Sequence, residues 1–88
     1  MKYLVTEIQS FPAGATSTPT YAYDSANYGN DNEKAKQAAT AKFHSILAGA
    51  STSDVPLHGA IMYTDKGVYV RSEYFTHNTE PEETEQGE

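Results

Sequence analysis

An α+β fold of order β-β-α-β-β, a four-stranded antiparallel sheet with one helix packed on one face, is predicted by three observations on this 88-residue chain. The first is a hairpin signature in residues 58–77, HGAIMYTDKGVYVRSEYFTH. Two runs rich in β-formers flank Thr64-Asp65-Lys66-Gly67, which suits a type I turn closed by a glycine in the left-handed region. The second is one apolar stripe at spacings of three and four: Ala35, Ala39, Phe43, Ile46, Leu47 and Ala50. The third is a pair of short β-rich runs before that stripe, KYLVTEIQ and TYAY.

Each element has its own local cause. In residues 2–9, Leu4, Thr6 and Ile8 alternate with Tyr3, Val5 and Glu7, as a strand requires. Phe11-Pro12-Ala13-Gly14 breaks that strand, and residues 15–18 read as a small polar connector. Pro19 opens the second strand, over 20–23, and marks it as an edge strand or a strand start. Residues 24–32 (DSANYGNDN) are a loop dense in turn formers. Asn30 and Glu33 resemble a capping box, which starts a helix from about residue 31 to 49. The alanines near its start let it sit close to the sheet, and Phe43 is its bulky anchor. Gly49, the following polar run and Pro56 end it.

The turn sets an expected hairpin register. Thr64 pairs with Val68, Met62 with Val70, Ala60 with Ser72 and His58 with Tyr74. On the opposite face Tyr63 meets Tyr69, Ile61 meets Arg71 and Gly59 meets Glu73. One face is then small and apolar, suited to a helix, and the other aromatic with charges among the rings. With only one helix to cover the sheet, the expected open face carries Tyr3, Val5, Ile61, Tyr63, Tyr69 and Arg71, with Tyr21 and Tyr23 beside them. So large an apolar patch calls for a cover: another subunit, a partner protein or a flat ligand.

Composition narrows the class. The expected organisation is one α+β domain over residues 1–77 and a disordered acidic tail over 78–88, which has no apolar residue. A core of that size gains from oligomerisation, and the chain has no cysteine to supply a disulfide. The net charge of −6 is concentrated: five glutamates lie in the last nine residues, and residues 1–79 hold seven acids against six bases. No basic excess exists for a long nucleic acid. The start lacks the apolar run of a secretory signal, and no apolar run reaches membrane-spanning length. A cytoplasmic location is expected, with no membrane partner.

No motif carries strong chemistry. His44 stands alone on the helix, and His58 and His77 lie at the base of the hairpin, so no metal site is assigned. The serines fall in loop clusters or a helix with no nucleophile-elbow pattern. Glu7 and Glu73 become neighbours only if the first and last strands pair. Ala13-Gly14-Ala15 lacks the second glycine and the lysine of a phosphate loop. No catalytic residue and no cofactor is expected. The remaining candidate is a binding surface of Tyr21, Tyr23, Tyr63, Tyr69 and Arg71, with Lys42 and His44 at its rim. Tyrosines stack on bases, and Arg71, Lys42 and Lys66 supply enough charge for one nucleotide-like ligand. The simpler reading of most of these tyrosines is a homodimer or higher oligomer interface, and the two are compatible, since ligand pockets often form at such seams.

The segments KYLVTEIQ, TPTYAYD, AKFHSILAGAS and PLHGAIMYT, followed by an acidic Glu/Pro tail, resemble small accessory proteins encoded by phages and prophages of gut Firmicutes. The resemblance spans nearly the whole chain and carries no site residues. It implies a phage protein made in the host bacterial cytoplasm. The expected function is non-catalytic counter-defence. The protein would inhibit a host immune factor by stoichiometric binding of an effector protein or by sequestering its nucleotide signal. The alternative is a small virion or tail-assembly component.

Overall fold

The computed structural model describes residues 1–12 and 14–77. Ala13 and the expected acidic tail lie outside the described residues. The elements are β1 (Lys2–Ser10), β2 (Thr16–Ser17), β3 (Thr20–Asp24), a 3-10 turn (Ser25–Tyr28), α1 (Asn32–Ala50), β4 (Leu57–Thr64) and β5 (Tyr69–Thr76). The class is α+β, one helix on an open antiparallel sheet. The sheet has five strands, in the order β2–β1–β4–β5, and β3 also pairs with β1.

The extra strand has a simple origin. Gln9 faces Ser17 and Thr6 faces Thr20, which is one continuous register along the same edge of β1. Thr18 and Pro19 interrupt it. Proline has no N–H for the ladder, although its carbonyl still accepts from Glu7 N–H at 2.9 Å. β2 and β3 are therefore two parts of one edge strand, and what reads as a polar connector supplies the shorter part.

Helix α1 forms close to its expected span, but Asp31 is its N-cap rather than Asn30. The Asp31 carboxylate accepts from Glu33 N–H and Lys34 N–H at 3.0 and 3.3 Å. Asn30 instead adopts a left-handed conformation, φ 61°, after Gly29. The apolar stripe packs as its spacing requires: Ala35, Ala39, Phe43, Ile46 and Ala50 are buried.

The hairpin turn also forms as expected. Gly67 has φ 79°, and Gly67 N–H bonds Thr64 O at 2.9 Å while Thr64 N–H bonds Val68 O at 2.9 Å. The buried Thr64 hydroxyl oxygen accepts from Lys66 and Val68 N–H, which stiffens the loop. Tyr63 faces Tyr69 as predicted, but Met62 then faces Arg71, because the register shifts at a β-bulge. Val70 is the extra residue, and it packs against the core. Every later pair slips by one: Ile61 faces Ser72, Ala60 faces Glu73, Gly59 faces Tyr74 and His58 faces Phe75.

A second correction concerns β1. Val5 faces Met62 and Tyr21, and Tyr3 faces Thr64 and Tyr23. Val5 and Met62 are wholly buried, so Tyr3, Val5, Tyr21 and Tyr23 belong to the helix side rather than the open face. The core consists of Tyr3 and Val5 from β1, Ala60 and Met62 from β4, and Ala35, Ala39, Phe43 and Ile46 from α1. Burying each of the larger side chains contributes roughly 1.5–3 kcal/mol.

Candidate binding face

Alternation from the buried Met62 defines the other side of the sheet. Leu4, Thr6 and Ile8 from β1 lie beside Tyr63, Ile61 and Gly59 from β4. Ser72 and Tyr74 from β5 complete the rows beyond Ile61 and Gly59. No helix covers these residues. Leu4, Ile8, Ile61 and Tyr63 are nonetheless only half-exposed, while Tyr69 and Tyr74 are 61% and 66% exposed.

This open face has two parts. Toward the hairpin turn it is hydroxyl-rich. The Thr6 hydroxyl bonds both Thr20 and Tyr63, at 2.8 and 2.9 Å, and the Tyr69 hydroxyl bonds Ser72 at 3.0 Å. These bonds fix the tyrosine rings but leave their edges accessible. Toward the other end the face is apolar and concave. A groove of about 390 Å³ is lined by Ile8, Leu57, Ala60, Ile61, Ser72, Glu73 and Tyr74. Ala60 and Glu73 face the helix side by register, so they contribute main chain to it.

Gly59 lies in the cross-strand row beside the groove, between Ile8 and Tyr74. A Cβ there would sit 2.4 Å from Tyr74 Cβ and from Glu73 O, so β5 already occupies that space. The two strands therefore approach more closely than any other residue permits.

The predicted binding residues do not converge. Tyr63 and Tyr69 are on the open face. Tyr21 and Tyr23 lie under the helix, and Lys42 on α1 covers the Tyr21 ring, with Nζ 4.1 Å from its centroid. The bulge places Arg71 on the helix side, opposite Met62. His44 is exposed on α1, edge-on to Phe43 with ring centroids 5.8 Å apart. It borders a shallow depression with Glu33, Lys36, Gln37 and Thr40. The cations and the open tyrosines thus stand on opposite sides of the sheet. Burial, then the neighbouring Tyr28 and Tyr21 hydroxyls, raises the Tyr23 phenol above its usual value.

Residues not singled out for binding form the groove: Ile8, Leu57, Ser72 and Tyr74. The available signal was a glycine inside a strand pattern, which marks a close backbone approach.

A second constellation lies on the helix side. His58 is buried, with Nε2 2.7 Å from Glu7 Oε2 and Nδ1 2.9 Å from Ser53 Oγ. With Glu7 ionised, Nε2–H donates to the carboxylate, and in the neutral ring Nδ1 accepts from the Ser53 hydroxyl. Hydroxyl, imidazole and carboxylate in series are the parts of an activated nucleophile. Two features oppose reaction at Ser53. Its oxygen already accepts from Val55 N–H at 3.3 Å. It also lies just past the C-terminal end of α1, where carbonyl dipoles disfavour a developing oxyanion. The trio instead ties the loop after α1 to β4 and β1. Nearby, His77 Nε2 donates to Ala50 O at 2.7 Å, closing the same corner.

Among the described residues, no three His, Cys, Asp or Glu side chains are placed to hold a metal ion. No described helix is long and apolar enough to cross a membrane. No family model, no curated protein and no solved structure matches the chain.

Proposed function

We propose that the protein is a non-catalytic, stoichiometric binding protein, and that its target-binding surface is the open sheet face centred on the Gly59 groove. The observation that carries this reading is the groove itself: apolar walls from Ile8, Leu57, Ile61 and Tyr74, beside a hydroxyl-rich strip, with no helix over either. Monomers rarely leave such a face uncovered without a use for it. An apolar side chain of a partner protein is the occupant that fits it best. A phosphate-bearing ligand is favoured less, because no basic side chain lines the groove among the described residues and Arg71 and Lys42 stand on the helix side.

The resemblance to phage accessory proteins gives this reading its biological setting. The target is then an effector protein of host defence, bound in the bacterial cytoplasm. The experiment is phage plating on a defended host that expresses the protein, with the effector co-purified and its stoichiometry measured. Ile61→Lys puts a charge in the groove and is expected to abolish both protection and co-purification while the circular dichroism stays native. His44→Ala, on the outer helix face, is expected to change neither. Full protection by a folded Ile61→Lys protein overturns the reading. Recovery of the protein at fixed copy number in purified virions, without an effector, transfers it to the virion-component alternative.

A further inference from the structure

The two edges of the sheet are not alike. One is the interrupted pair β2 and β3, broken at Pro19. The other is β5, an eight-residue strand, YVRSEYFT, that pairs with β4 alone. It contains no proline, and although a bulge at Val70 and the charges of Arg71 and Glu73 blunt this edge, those two charges are of opposite sign. Arg71, Ser72, Glu73 and Tyr74 are all exposed, so no other described residue covers this edge.

The charges on β5 have a particular order. Arg71 faces Met62 and Glu73 faces Ala60, so both lie on the helix side, on either flank of Ser72. Among the described residues, neither Arg71 nor Glu73 takes part in a salt bridge, and the one acid–base side-chain contact is that of His58 with Glu7. In an antiparallel pairing of two identical strands, a two-fold axis passes through one residue and matches its neighbours reciprocally. With Ser72 on the axis, Arg71 of each chain lies opposite Glu73 of the other, giving two opposite-charge cross-strand pairs. The bulge at Val70 breaks the ladder beyond this point, so the regular match is confined to Arg71, Ser72 and Glu73. Moving the axis to Arg71 or to Glu73 sets a like charge directly against itself.

We infer that the protein forms a two-fold dimer in which β5 pairs edge to edge with β5 of a second copy, with Ser72 on the axis. The axis is perpendicular to the sheet, so both open faces and both Gly59 grooves look the same way. The dimer offers a continuous sheet with two equivalent grooves. This inference is independent of the target reading, since it rests on the edge and its charges alone.

The test is a charge-swap cycle on the full chain, read by sedimentation equilibrium and native mass spectrometry. Wild type is expected to be a dimer. Arg71→Glu sets Glu against Glu73, and Glu73→Arg sets Arg against Arg71, so each is expected to weaken dimerisation roughly tenfold or more. Mixed together, the two variants match every charge again, and a heterodimer is expected. That rescue also shows that both variants are folded. A monomeric wild type overturns the proposal, as do single swaps that dimerise like wild type. Two monomeric singles that fail to pair when mixed overturn the register. If a swap unfolds the chain, Arg71→Gln with Glu73→Gln replaces it, and an unchanged dimer constant there is equally fatal.

Discussion

The same central strands, β1 and β4, present two sides with opposite physical character. On the helix side, Val5 and Met62 are fully buried, and Phe43 closes over them at 3% exposure. On the open side, Leu4, Ile8, Ile61 and Tyr63 come from the same strands, yet no described helix packs over them. Apolar residues are therefore present on both sides, and cover distinguishes them. The covered side supplies stability. The open side keeps rings and aliphatic chains at the surface, where they can contribute to binding a partner. The difference teaches that hydrophobic alternation locates a strand, while the position of the single helix decides which half of it becomes core.

The largest test of this contrast is a matched truncation. Phe43→Ala should cost about 3–5 kcal/mol in urea unfolding, the usual result of deleting a buried aromatic ring. Tyr74→Ala, at 66% exposure, should cost under about 1 kcal/mol. Equal losses would break the distinction between core and surface. Gly59→Ala probes the open side where β4 and β5 come closest. Its Cβ would fall 2.4 Å from Tyr74 Cβ, so β4 and β5 must shift, at a cost of about 1–3 kcal/mol. An unchanged melting temperature there would show that the β4–β5 approach at Gly59 is not tight.

The smallest effect sharpens the helix side. Burial raises the Tyr23 phenol above its unfolded value, so the folded state holds that proton more tightly. Its contribution to stability is fully present below the unfolded tyrosine value and declines as pH rises through the folded one. Tyr23→Phe should therefore flatten the loss of melting temperature above about pH 10 and leave neutral-pH behaviour nearly unchanged. An identical alkaline slope in the variant would place the titration elsewhere.

Local chemistry was legible where one segment contained all of its own cause. The α1 stripe from Ala35 to Ala50, the Gly67 turn and the edge position marked by Pro19 each depend on residues close in sequence, and each formed. The errors came where two segments had to choose each other. Both alternating sets of β1 are apolar enough to be core, and only pairing with β4 puts Val5 rather than Leu4 under the helix. Hairpin pairing counted outward from Gly67 holds as far as Tyr63 and Tyr69, then slips by one where Val70 bulges into the core. That single residue separates Arg71 from the open tyrosines and brings Tyr74 to the groove. The Ser53–His58–Glu7 contact joins residues 5 and 51 positions apart, and no local pattern announces it.

The sequence by itself determined the α+β class, the order of the main elements, the helix face and the hairpin turn, because propensity, capping and turn geometry act over a few residues. Tertiary structure alone decided which side of β1 is buried, where the β4–β5 register shifts and where the groove opens. Those outcomes follow from side chains competing for one helix-covered space, and that competition is settled only when distant strands meet.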